Sequence, residues 1–220
     1  MNKKITLILP VAGKSSRFKN QIPKWLLSSP NNNLMISESI KFLNLDNVKQ
    51  IVVICLKEHI NKYIDLNSIK NSIKNVLKKN IPIKICVLIK SASSQAHTVS
   101  LGISKLKIKG PIFIKDCDNQ FNHKIEIGNY VTFLNLNNAS LVLAKNKSYI
   151  ENSKKNIILK IVEKKIISDS FCTGGYSFVS ADQFCKIFEK IYDENKSFGE
   201  IYISHVIQSF SVTAQGHPTS

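Results

Sequence analysis

The sequence predicts an α/β fold: a mostly parallel central sheet with helices on both faces, in the Rossmann-like manner. Apolar runs of strand length recur along the chain, and segments of helical periodicity separate the first four of them. None of these runs approaches the ~20 residues that a membrane span needs, so they must bury against one another. The chain has 220 residues, 43% of them hydrophobic, which suits one globular domain. A chain of this length buries roughly 70% of its unfolded surface.

Each element follows from its own pattern. The N-terminal KITLILPV has a basic start and a short apolar run, too short for the core of a signal peptide; it reads as a first buried strand, Lys4–Val11, and the chain as cytoplasmic. Strands are then expected at Gln50–Leu56, Ile83–Ile89 and Pro111–Ile114, with helices at Leu34–Leu43, Leu66–Lys79 and Gln95–Leu106 between them. Later strands fall at Ser140–Lys145, Ile157–Glu163 and Thr173–Val179, followed by helices at Ala181–Tyr192 and Tyr202–Ser209. No internal repeat and no Pro/Gly/Ser-rich linker divides the chain, so residues 1–220 form a single domain.

A net charge of +16 would attract nucleic acid if it were concentrated. The lysines are instead spread among asparagines and isoleucines, and no basic block alternates with aromatic residues. The charge therefore reads as solvated helix faces, with no specific nucleic-acid partner. The five cysteines are an odd number, widely spaced, with no CxxC pair, which predicts small core residues rather than a disulfide framework or zinc.

In parallel sheets of this kind ligands bind at the carboxyl ends of the strands. Three segments reach that rim: the loop 12–24, SASSQAHT before the third helix, and KDCDNQF after the fourth strand. In the first, Ala12, Gly13, Lys14 and Ser15 are small or flexible enough for backbone amides to approach an anion. Arg17 offers a forked donor for phosphate oxygens, and Lys24, stiffened by Pro23, adds a point charge. Two better-known phosphate loops fail here. The P-loop needs a glycine where this chain has Ile8, and the dinucleotide fingerprint needs three glycines where it has only Gly13.

In extended chain Asp116 and Asp118 point to one side, so two carboxylates can face one cation, and few hard oxygen ligands suit Mg²⁺. Either aspartate alone would serve equally as a turn cap. Ser93 or Ser94 can cap the helix that opens at Gln95. His97 has no partner ligands at metal spacing and reads as a solvent-facing or supporting residue.

LPVAGKSSRF at Leu9–Phe18, followed by PKWLL at Pro23–Leu27, resembles the signature of nucleotidyltransferases that join a nucleoside triphosphate to a sugar phosphate. Val11 stands where the family has its first alanine, and Ser15 where glycine is usual. The resemblance implies the glycosyltransferase-A-like version of the fold, with a nucleotide-binding half over 1–121 and an acceptor-binding half over 122–220. It implies Arg17 and Lys24 as catalytic cations, and Gln95 and Ala96 as nucleotide contacts beside the loop residues. Asp118, which matches the family's strand-end aspartate, would hold Mg²⁺ together with Asp116. The pair Asp-Cys-Asp is also similar to the metal motif of glycosyltransferases with the same sheet.

IVEK at Ile161–Lys164 and CTGGYSF at Cys172–Phe178 resemble the family's Glu-Lys pair and its Gly-x-Tyr-x-Phe strand. By that likeness Glu163 accepts bonds from sugar hydroxyls, Lys164 holds the acceptor phosphate and Gly175 lines the same half. Lys165 occupies the position where proline is usual. The family continues after the late helix to a strand with a second metal-binding aspartate. The tail SVTAQGHPTS has no acidic residue, so low turnover is expected. The implied partners are a nucleoside triphosphate and a phosphorylated sugar-like acceptor. A homodimer is compatible with the sequence.

Overall fold

The computed structural model describes residues 4–13, 21–135, 147–153, 157–194, 200–210 and 213–216. Its centre is strand β1 (Ile5–Pro10), apolar except at Thr6 and buried but for its last residue. Such a run needs cover on both faces and partners on both edges. Parallel β3 (Val48–Leu56) lies on one edge and parallel β5 (Ile112–Lys115) on the other, and β4 (Ile83–Leu88) extends the sheet beyond β3. Past β5 comes β10 (Ser170–Phe178), running antiparallel, then β7 (Tyr130–Asn135) and β11 (Thr213–Gly216). The order is β11-β7-β10-β5-β1-β3-β4, with β8 (Ser148–Asn152) and β9 (Ile158–Glu163) attached at β10. A separate two-stranded pair joins β2 (Leu43–Asn44) to β6 (His123–Lys124).

Side chains of β1 alternate between two cores. Ile8 faces a layer with Val99 and Ile103 of α4 (Gln95–Leu106), Phe184 and Phe188 of α5 (Ala181–Glu194), and Val206 of α6 (Ile203–Gln208). Ile5, Leu7 and Leu9 face Ile36 of α1 (Met35–Glu38) and Ile69 and Ile73 of α3 (Leu66–Val76). Helices thus cover both faces of a mixed, mostly parallel sheet, as the sequence predicts. None of the helices among the described residues is long and apolar enough to cross a membrane.

Several elements differ from expectation. The helix predicted over Leu34–Leu43 is only α1, because Ser39 Oγ donates to the Ile36 carbonyl (2.7 Å) and the chain then turns into β2. The helix predicted over Leu66–Lys79, α3, ends at Val76, where Leu77 takes an extended conformation. The short helix α2 (Lys57–Lys62), the strands β7 and β8 and the pair β2–β6 have no counterpart in the sequence reading. The strand expected at Ser140–Lys145 lies outside the described residues. The tail, to which the sequence reading assigns no strand, supplies β11, which adds to the open edge of β7.

Candidate active site at the carboxyl rim of the sheet

The chain leaves β1 towards β3 on one side and returns to β5 on the other, so the strand order reverses between β1 and β5. A crevice opens at the carboxyl ends there. Residues Ala12 and Gly13 leave β1 into it; Ala12 is buried, and the space above Gly13 is open. Lys14, Ser15 and Arg17 lie outside the described residues. Lys24 begins a turn of 3-10 helix whose next two side chains, Trp25 and Leu26, are buried. Trp25 also donates its indole N–H to His59 Nδ1 (3.3 Å), and burial lowers the pKa of that histidine. With the two residues after it anchored, Lys24 is directed to the rim.

There Lys24 Nζ meets Asp118 Oδ2 at 3.1 Å, joining the loop after β1 to the loop after β5. The pair is half exposed, so it marks proximity more than it adds stability. Asp118 is held ionised, its pKa below the ordinary value because the Lys24 bond and charge outweigh burial. Asp116 behaves oppositely. Its carboxyl is packed among protein atoms, and desolvation raises its pKa to about 6 despite a 2.6 Å hydrogen bond from Gln95 Nε2. One loop therefore carries an exposed, charged carboxylate and a sheltered one that titrates near neutrality.

Gln95 is the first residue of α4. Ser94 caps that helix by accepting from His97 N–H (3.1 Å), which settles the capping role between Ser93 and Ser94. Ala96 is fully buried beneath the helix, and His97 stacks on Phe188 with ring centroids 5.5 Å apart.

The antiparallel β10 closes the crevice from the far side. Gly174, at φ +83°, accepts a hydrogen bond from Asp116 N–H on its carbonyl (2.8 Å), and a Cβ there would collide with the Asp116 carboxylate. Sequence reasoning passed over Gly174; the doubled glycine at 174–175 was the available signal. Gly175 is buried, where a side chain would strike Thr132 and Phe113. Beyond it, Glu163 Oε1 accepts hydroxyl bonds from Ser148 (2.5 Å) and Ser204, so part of its capacity is used within the protein. Lys164 takes a left-handed backbone (φ 56°), and its ammonium donates to Tyr202 Oη at 2.6 Å. A cavity of about 490 Å³ opens beside Asp118, lined in part by Ser28, Met35, Glu38 and Asn119.

No family model matches the chain. No curated protein is similar to it in sequence. Solved structures do match. A nucleoside-diphosphate-sugar pyrophosphorylase from Vibrio cholerae is 18% identical, with a TM-score of 0.76 over 96% of this chain and 91% of that one. The chain shares its fold. An inositol-1-phosphate CTP transferase from T. maritima (16% identity, TM-score 0.66, 97% and 86% coverage) and a UDP-glucose pyrophosphorylase complexed with UDP-glucose (16%, 0.66, 97% and 90%) have the same architecture. At these identities the likeness is one of backbone, and the side chains at the rim must argue for themselves.

Two carboxylates on one loop suit a hard divalent cation whose remaining ligands come from phosphate and water. Among the described residues no group of three or more His, Cys, Asp or Glu side chains gathers at one point. Asp116 and Asp118 fit Mg²⁺ as such an incomplete pair.

Proposed function

We propose that this protein is a nucleotidyltransferase that transfers a nucleoside monophosphate from a nucleoside triphosphate to a phosphorylated, sugar-like acceptor in the cytoplasm, releasing pyrophosphate. The observation that carries the reading is the meeting of Lys24 and Asp118, which brings a phosphate-type cation from the β1 loop to an ionised carboxylate at the strand-order reversal. The fold shared with the pyrophosphorylases supports it.

In this reading the amides at Ala12–Gly13, with Arg17 and Lys24, bind the triphosphate and neutralise charge that builds up on it. Gln95 holds Asp116, and Gly174 leaves room for that carboxylate against β10. Glu163 and Lys164 face the acceptor. An acceptor phosphate oxygen attacks the α-phosphorus in line, the bond to the bridging oxygen breaks, and pyrophosphate departs with the electron pair. Mg²⁺ held by Asp118 and Asp116 would supply charge neutralisation and a template for the phosphates. No protein nucleophile is required.

The test is calorimetry of Mg²⁺ with and without ATP, CTP, GTP or UTP, beside a pyrophosphate-release assay with sugar phosphates. The expected result is weak Mg²⁺ binding alone, nucleotide-linked binding lost in Asp118→Asn, and slow pyrophosphate release. Release of a nucleoside diphosphate from a nucleotide sugar would point to glycosyl transfer instead, and metal binding indifferent to Asp118→Asn would overturn the site.

A further inference from the structure

Lys115 ends β5 with no solvent exposure at all, and it is one of the largest fully buried side chains among the described residues. A buried ammonium is costly unless every proton finds an acceptor. Here three contacts serve its three donors: the Asp116 carbonyl at 2.5 Å, the Asn119 carbonyl at 3.0 Å and Asn119 Oδ1 at 2.5 Å. The Phe121 ring covers the group, with its centroid 4.5 Å from Nζ. Its acceptors lie at both ends of the turn that presents Asp116 and Asp118, so the ammonium ties 116 to 119 across the intervening residues. An apolar residue would satisfy a strand buried on both faces, as Ile112, Phe113 and Ile114 do in the same strand. The cation is needed only by the turn beyond it.

We propose that Lys115 is a positioning residue for the carboxylate loop, fixing the turn that presents Asp116 and Asp118 through its bonds to Asp116 and Asn119. What the loop then binds rests on the nucleotidyltransferase reading. The lysine acts only through the turn, because its ammonium is already saturated and out of reach of a ligand.

The test compares Lys115→Met and Asn119→Ala with wild type by calorimetry, using whichever of ATP, CTP, GTP or UTP the wild type binds most tightly, in Mg²⁺ and in EDTA. Both variants should lose about tenfold or more of the affinity that Mg²⁺ adds, as expected for one charged hydrogen bond, with affinity in EDTA little changed. Folded variants that keep the full Mg²⁺-dependent gain, or lose affinity equally with and without metal, would overturn the inference. If Lys115→Met does not fold, Asn119→Ala decides alone, since it removes one acceptor and leaves the lysine in place. Wild type that binds no triphosphate would remove the underlying function as well, whereas wild type that binds independently of Mg²⁺ would remove only the role of the turn.

Discussion

Replacing Asp116 by asparagine should stabilise the ligand-free protein at neutral pH and change it much less in mild acid. Burial lifts the carboxyl pKa from its ordinary 3.8 to about 6, so the folded chain holds a proton that the unfolded chain releases. A raised acid is neutral and costs nothing below the unfolded value. Its stability is lost as pH rises through the window from about 4 to 6. At about 1.4 kcal/mol per pH unit the full cost at pH 7.5 is up to about 3 kcal/mol, falling to about 1 kcal/mol at pH 4.5. Residual exposure of Asp116 makes the larger figure an upper bound. Asparagine keeps an acceptor for Gln95 and carries no charge. Urea denaturation of both proteins at the two pH values should therefore show a gain that grows with pH. An equal gain at both, or a loss at pH 7.5, would refute the claim that desolvation governs this carboxyl. The same variant should weaken nucleotide-linked Mg²⁺ binding, so the site would be paying for function with stability.

Lys24→Ala should cost less than about 1 kcal/mol of fold stability, since its ion pair is exposed. It should nonetheless cost roughly 1.5–3 kcal/mol of triphosphate affinity, the worth of a charged hydrogen bond; calorimetry and denaturation of one sample separate the two. Gly174→Ala forces both a left-handed alanine and a collision with Asp116, and should destabilise by about 1–3 kcal/mol in urea melts. An unchanged midpoint would mean that β10 shifts freely. Burial pushes the thiols of Cys55, Cys117 and Cys172 up to about 12. At pH 8 those three should react slowly with a thiol reagent in the native protein and quickly in denaturant, as followed by absorbance.

The parallel core was legible because its signals are local. The run KITLILPV could only be a doubly buried strand, and Gln95–Leu106 was bounded by a serine cap at one end and matched the observed helix. Lys24 and Asp118 could be assigned to one rim because the topology of a parallel sheet brings strand ends together. What escaped the sequence was tertiary. Lysine at a strand end reads as exposed, and nothing near Lys115 announces that Asn119 folds back to receive it. YVTFLN at β7 is strand-like, but its place beside β10 depends on pairing across more than thirty residues. Serines at 37 and 39 look tolerable in a helix until their hydroxyls are seen bonding elsewhere.

The reversed strand β10 has a consequence for synthesis. It is the hydrogen-bonded neighbour of β5 on the side away from β1, yet the 63 positions from Lys115 to Phe178 separate the ends of the two strands. During translation at 5–20 residues per second, β5 leaves the ribosome with one side unpaired for roughly 3 to 13 s. Its Ile-Phe-Ile-Lys edge is largely apolar, and an unpaired apolar edge is the kind that recruits other chains. The nascent protein passes through a sticky interval that its finished form does not reveal, and slower elongation over that stretch would lengthen it.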